Sequence, residues 1–457
     1  IQNTIESHML IKKSMLKFIP ALFLVVTLVH PIISSAQMST STNPQLLTIE
    51  DAIRAGLDRN FGIVIARNEA EIASLNRNWG AAGFTPDLNL SAGVSGGRDD
   101  VTITENGDTR PNERTLISSS NLDASLSWTI FDGLKMFTTY NKLVEFENLG
   151  NIRARIQIEN TVSDIISAYY NIIRIEKRLT VLQNTVELSQ ERFRIADTKR
   201  QIGSGSEYEF LLAQTDLNSD KTAVIREEVL LNDAKIRLLT LLNMNPTTPF
   251  TVTSEINLAD IINFDTVFEG MNTSNSQLMA AGIQHRIATL ERQEVLRGRM
   301  PRVSLNAGYN INNRETDNVV VRMTETEGLR YGVTVSVPIF DGFNMNRKLQ
   351  AAKIYERNAD LQLQDMNSRL YGLAVAEYQN YVSSREVVRI EQENLELVIQ
   401  TVEIAMERFY QGTISSLELR ETQRNLINTE TRLITAQYEA KISETELMRL
   451  MGRLTIY

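Results

Sequence analysis

Ile130-Phe131-Asp132-Gly133 closes a run of alternating residues and opens a long stretch without proline, and the same four residues return 209 positions later as Ile339-Phe340-Asp341-Gly342. The offset persists outward from these tetrapeptides. Gly203 returns as Gly412, Gln214 as Gln423, and Leu242-Asn243 is answered by Met451-Gly452. The chain is two copies of one unit, and a repeated unit usually buries its apolar face against copies of itself.

Upstream of each tetrapeptide, side chains alternate with the period of two that a half-buried strand needs. Leu88, Leu90, Ala92 and Val94 oppose Asn89, Ser91, Gly93 and Ser95, and Leu122, Ala124, Leu126, Trp128 and Ile130 oppose Asn121, Asp123, Ser125, Ser127 and Thr129. Val303 to Ile311 and Tyr331 to Ile339 repeat the pattern. Segments of about ten residues, apolar on one side and small or polar on the other, are the signature of an outer-membrane barrel strand, with a soluble sandwich as the competing arrangement. The charged linkers Arg98–Leu116 and Asn313–Gly328 read as water-facing loops, giving β-hairpins over about 86–131 and 301–340.

Downstream, 134–202 and 343–411 read as helices on the order of 100 Å long at 1.5 Å per residue. Ile158, Ile165, Ile172, Leu179, Val186 and Phe193 recur every seven residues, as do Ala374, Tyr381, Val388, Leu395 and Val402. Sustained heptads predict helix against helix along the whole length. Shorter helices are expected at 49–80, 206–242, 276–298 and 415–451, the first opened by a capping box of Thr48 and Asp51. The resulting organisation is a first repeat over 37–243, a small mixed connector over 244–275 and a second repeat over 276–457.

Composition removes whole classes of function. With no cysteine, the chain has neither disulfides nor a lipid-bearing cysteine, and His285 is the sole histidine beyond residue 36. A single histidine and no cysteine argue against a zinc centre or a histidine-based triad, no cofactor is expected, and the chain reads as no enzyme. A net charge of −9 argues against nucleic acid as a partner. Lys12, Lys13 and Lys17, then the apolar run Phe18–Ile33 and Ser34-Ser35-Ala36, predict a secretory leader cleaved after Ala36. Beyond it no apolar run is long enough for a transmembrane helix, so membrane contact would come from strands.

A leader followed twice by helix, strand pair ending in Phe-Asp-Gly, long helix, Gly-tipped turn and helix resembles the TolC-like outer-membrane efflux proteins. The resemblance covers about Leu47 to Leu454, and Thr48-Ile49-Glu50-Asp51-Ala52-Ile53 with Arg59-Asn60 is similar to the family's opening. It implies a mixed α/β membrane protein in which four strands per chain contribute to a trimeric twelve-stranded barrel and coiled-coil helices form a periplasmic tunnel. Four strands cannot close alone, and an open edge in lipid costs several kcal/mol per unpaired group. Sequence alone permits two, three or four copies; the family has three. Its members sit in the outer membrane of Gram-negative bacteria and dock a periplasmic adaptor and an inner-membrane pump of the RND or ABC class. The implied role is a passive exit duct for small molecules, with protein export of the type I kind as an alternative. From another class, a periplasmic coiled-coil scaffold without a channel remains open.

The resemblance also places site residues. Phe131, Asp132, Gly133 and Phe340, Asp341, Gly342 match the strand-to-helix junctions, where the aspartates read as helix caps and the glycines permit the bend. Gly203, Ser204, Gly205 and Ser206, with Gly412, Thr413 and Ser415, match the tips that would meet the adaptor. Glu209, Glu418 and Glu421 match acidic positions at the entrance; Glu418 and Glu421 share a helix face and would form carboxylate rings under threefold symmetry, attracting cations, or else are solvated surface glutamates. Where other members carry Tyr and Arg beside the second tip, this chain has Phe409 and Ile414, so closure would rest on apolar contact of Phe409, Ile414 and Leu417.

Overall fold

The computed structural model describes residues 45–105, 108–259, 261–317 and 322–454. The leader expected over 1–36 lies outside them. In chain order come β1 (Gln45–Leu47), α1 (Ile49–Arg59), α2 (Phe61–Asn76), β2 (Asp87–Glu105), β3 (Asp108–Phe131), α3 (Lys135–Gln201) and α4 (Glu207–Leu241). Then follow β4 (Phe250–Val252), α5 (Phe264–Ser274), α6 (Ser276–Arg297), β5 (Arg302–Thr316), β6 (Met323–Ser336), α7 (Asn344–Tyr410) and α8 (Ser416–Leu450). Both long helices have 67 residues and both partners after the tips have 35. None of the helices is long and apolar enough to cross a membrane among the described residues.

The strands β2-β3-β5-β6 form one antiparallel sheet, and the β3–β5 pairing joins the two copies. Register carries the alternation across all four strands. Leu88 faces Leu126, Leu126 faces Ala307, and Ala307 faces Tyr331; in the next row Leu90, Ala124, Tyr309 and Leu329 line up in the same way. One face is therefore apolar from edge to edge, while Asn89, Ser125, Gly308 and Arg330 lie in a row on the other. From Val303 to Tyr309 the apolar rows run on the order of 20 Å along the strand at about 3.3 Å per residue; in the next row Ala92, Leu122 and Ile311 meet Glu327 on β6. β2 and β6 each have one free edge.

The hairpins are longer than their side-chain pattern predicts. Where 98–116 reads as a loop, strand pairing continues through Glu105↔Asp108, with a register shift between Val101 and Ile103. The second hairpin likewise pairs out to Glu315↔Met323. Ladder bonds need only backbone, so charged residues on both faces do not end a strand in water.

At the junctions the bend is shared by two residues and not confined to glycine. Gly133 (φ 73) is followed by left-handed Leu134 (φ 68), and Gly342 (φ 68) by left-handed Phe343 (φ 63). Holding a side chain there costs about 1–2 kcal/mol. Leu134 and Phe343 occupy the N-cap yet make no side-chain cap bond. Asp132 and Asp341, two residues earlier, take that role: Met136 N donates to Asp132 Oδ1 at 3.1 Å and Met345 N to Asp341 Oδ2 at 2.7 Å.

The helix expected over 49–80 is broken at Asn60, which ends α1 in an extended conformation and caps α2 by accepting from Ile63 N. Its Nδ2 donates to Leu241 O at 2.9 Å, so the break is fastened to the end of α4. The Thr48–Asp51 pair is half a capping box: Asp51 N donates to Thr48 Oγ1, but the carboxylate takes the threonine hydroxyl and not its backbone N–H. β1 pairs in parallel with β4. Tyr169, buried on α3, donates its hydroxyl to Leu47 O at 2.9 Å and accepts from Thr253 N, tying this small sheet to the long helix. The main core gathers here, around Val162, Ile165, Tyr169, Ile172, Ile173, Leu238 and Leu242. Each large aliphatic buried in this way contributes about 1.5–3 kcal/mol.

α6 lies between α3 and α7, touching both. Its counterpart in the first copy, α2, packs on α3 and leaves Phe61, Ile65, Ile72 and Leu75 exposed. α7 similarly exposes Ile354, Tyr355 and Leu361.

Candidate functional site

Far from the sheet, each long helix ends in the same turn. Ser204 N donates to Lys199 O at 2.9 Å and Gly203 N to Arg200 O at 3.1 Å; Thr413 N donates to Arg408 O and Gly412 N to Phe409 O with matching lengths. This pair of bonds requires a left-handed residue after the helix, which Gly203 and Gly412, both at φ 75, supply without side-chain strain. Ser206 then opens α4, its hydroxyl accepting from Glu209 N, and Ser415 opens α8, its hydroxyl accepting from Glu418 N.

The entrance acids are not equivalent. Glu418 completes a capping box, its Oε2 accepting from Ser415 N at 3.0 Å, so its carboxylate is held at the tip by backbone. Glu209 has no such bond among the described hydrogen bonds and is exposed. Glu421 is exposed, with Arg424 Nη1 3.8 Å away. Of the three apolar residues expected to latch the entrance, Phe409 is buried within the chain against Ala405 and Leu419, with Ile195, Met406 and Ile414 packed beside it. Lys199 Nζ sits 5.1 Å from its ring centroid. Leu417 alone is fully turned outward.

Farther from the tips, a polar cluster joins the two helical hairpins, and the heptad reading missed it. Arg420 on α8 forms two bonds to Asp220 on α4, Nη1 to Oδ2 and Nη2 to Oδ1, each 2.8 Å. Ser189 on α3 donates to the same carboxylate. Arg192, buried on α3, reaches Asp216 on α4 at 2.7 Å and Gln423 on α8 at 3.4 Å. Arg420 Nε is 3.6 Å from Asp216. Removing one partner of such a buried pair typically costs about 3–5 kcal/mol, because a charge is left without compensation. A straight helix drifts about 20° per heptad, so low in α3 the buried stripe passes through Thr185, Ser189 and Arg192, with Val186 and Phe193 only half-buried. Nearby, Arg194 beside Glu191 holds that carboxyl below the usual carboxylate range, while burial pushes Glu430 above it.

No group of three or more metal-ligating side chains occurs among the described residues. The arrangement offers a two-faced sheet, a helical rod and a pair of tips. The sequence profile of the outer membrane efflux proteins matches residues 52–244 and 271–453, one segment in each copy. The chain belongs to that family. Its family is one of efflux proteins and not of enzymes. Among solved structures its fold is similar to that of the Campylobacter jejuni CmeC outer membrane channel, with a TM-score of 0.72 at 17% identity over 89% of this chain and 85% of that one. It is also similar to a membrane protein from Pseudomonas aeruginosa (TM-score 0.75, 16% identity, 88% and 93% covered). The Neisseria gonorrhoeae MtrE outer membrane channel, solved in its open state, gives a TM-score of 0.69 at 14% identity, with 88% of each chain covered. A curated relative, Protein CyaE of Bordetella pertussis, is 21% identical over 276 residues, covering 60% of this chain and 56% of the relative.

Proposed function

We propose that three copies of this efflux protein close a twelve-stranded barrel in the outer membrane and extend a helical tunnel into the periplasm, forming a passive exit duct for small molecules. The observation that carries the reading is the four-stranded sheet with two free edges, a polar face and a face whose rows through Leu305, Ala307 and Tyr309 are apolar on every strand they cross. In lipid, β2 and β6 need partners, and further copies of the same sheet supply them edge to edge. The apolar flank of α2 and the exposed residues of α7 are the helical counterpart, since α6 already fills the equivalent place between α3 and α7 inside one chain. An apolar band on the order of 20 Å approaches the about 25 Å of a barrel's lipid-facing band. The leader over 1–36 would deliver the chain there.

The Gly-capped turns at 203–206 and 412–415 lie at the rod's end and would dock a periplasmic adaptor joined to an inner-membrane pump. Glu421, exposed beside them, would favour cations at the entrance, with Glu418 held by its cap. Detergent extraction followed by sizing and planar-bilayer recording tests the whole. A trimer giving discrete conductance steps is expected; a soluble monomer without channel activity would end the duct reading.

A further inference from the structure

We propose that the cleft where β1, α1, α3, the segment after β4 and α8 meet is a binding site for an organic cation with an apolar body. The cleft is built within one chain, at the main core and away from both the sheet and the tips. It does not depend on the duct.

The cleft encloses about 790 Å³. Small-molecule sites typically run to roughly 300–1,000 Å³, with mostly apolar walls and a few polar groups that orient the guest. Its floor meets the first condition: Ile53, Ile166, Tyr170 and Val252 are buried side chains of the main core, and Met448 packs beside them. These residues are fixed by the packing of α1, α3 and β4, so the floor is formed without a guest.

The rim decides the charge of the occupant. Three carboxylates line the cleft, those of Glu50, Glu255 and Glu444, against the ammonium of Lys441. Lys441 is already engaged, since its Nζ donates to Glu444 Oε1 at 2.7 Å and lies over the Tyr170 ring, 5.4 Å from the centroid. Glu444 accepts from Ala259 N at 2.9 Å with its other oxygen. These two charges cancel. Glu50 and Glu255 are exposed and have no hydrogen-bond or ion-pair partner among the described residues. Lys177 of α3 lies within the field of Glu255 but donates to Gln437.

Two carboxylates without partners above an apolar floor repel an anion and attract a cation, the more so because one wall of the cleft excludes water. The N-terminus of α1 also opens here, and its positive end would draw an anion. Glu50 and Asp51 in its own first turn meet that charge. A bare metal ion is no better served, because no group of three or more ligating side chains occurs among the described residues. A guest that sets an apolar body on Ile53, Ile166 and Met448 and turns a positive centre to Glu50 and Glu255 satisfies both parts of the cleft.

The probe is tetraphenylphosphonium, a cation with an apolar body, and its control is tetraphenylborate, an anion of the same shape. Each is titrated calorimetrically into the purified full chain in a neutral detergent, with wild type and variants compared in the same micelles. The phosphonium should bind saturably at a single site per chain, and the borate should not. Glu50→Gln/Glu255→Gln should weaken phosphonium binding about tenfold, since two partly solvated charge contacts are lost. Ser254→Trp places a large side chain on the exposed rim without touching the core, and should abolish binding while the sizing profile stays that of the wild type. Equal binding of the two ions, no saturable binding, or an affinity indifferent to either variant would overturn the proposal. Binding seen only once residues 455–457 are removed would give the cleft to the chain itself and overturn it too.

Discussion

The two strand-to-helix junctions share Ile-Phe-Asp-Gly and a left-handed bend, yet β3 runs to Phe131 while the second copy's strand, expected to reach Ile339, ends at Ser336, and their surroundings differ. A Cβ on Gly133 would meet Met300 Cβ at 2.2 Å and Arg297 O at 2.9 Å, whereas one on Gly342 would meet nothing within 4 Å. Phe131 is 39% exposed and Phe340 75%; Ile130 is 51% exposed and Ile339 94%. The first junction is covered by the end of α6, and the second has no such cover among the described residues. Identical local sequence therefore sits in one complete and one incomplete environment, which is what a chain forming one segment of a ring presents at its trailing side.

The largest effect should separate the two glycines. Gly133→Val combines a left-handed backbone with a clash against α6 and should destabilise by about 3 kcal/mol or more, read as a lowered denaturation midpoint. Gly342→Val carries only the backbone strain within one chain, about 1–2 kcal/mol. If a neighbouring chain covers this junction, the same variant should also deplete the oligomer on detergent sizing; an undiminished oligomer would show that nothing packs there. Next in size, Asp132→Ala and Asp341→Ala should each lose about 1 kcal/mol with their bonds to Met136 N and Met345 N. A much larger loss at one of them would mean that its carboxylate does more than cap.

The tips sharpen the comparison at lower energy. Glu418→Ala removes half of a capping box and should cost about 0.5–1 kcal/mol, while Glu209→Ala should cost less, since its side chain has no matching bond. Smallest in stability is Glu421→Gln, which should change unfolding by no more than about 0.5 kcal/mol. Its readout is cation selectivity in planar bilayers, where an unchanged reversal potential would remove this residue from the pore.

Much of this architecture is legible in the sequence because it rests on spacing. The offset from Phe131 to Phe340 and the alternation in Leu122–Ile130 locate junctions, strands and long helices. Strand ends were not legible: residues 98–105 and 108–116 are paired by backbone, to which side-chain alternation is blind. Nor was the buried cluster, since Arg192 and Asp220 have the composition of a solvated helix face; the drift of α3 turns Ser189 and Arg192 inward, and Asp220 of α4 meets Ser189 there. The apolar latch expected of Phe409, Ile414 and Leu417 divides for a similar reason. Helix phase puts Phe409 inside the chain's own core and leaves Leu417 outside.

The pairing of β3 with β5 carries a consequence for how the molecule forms. Phe131 meets Val303 and Ile117 meets Thr316, partners separated by the whole of α3, α4, the connector and α6. Each hairpin and each helix pair is local, but the bond between the copies closes a loop of well over a hundred residues. Loop-closure entropy makes such contacts the slowest to form. The helical rod would thus take shape first, bringing two preformed hairpins side by side, and the sheet would be stitched together last.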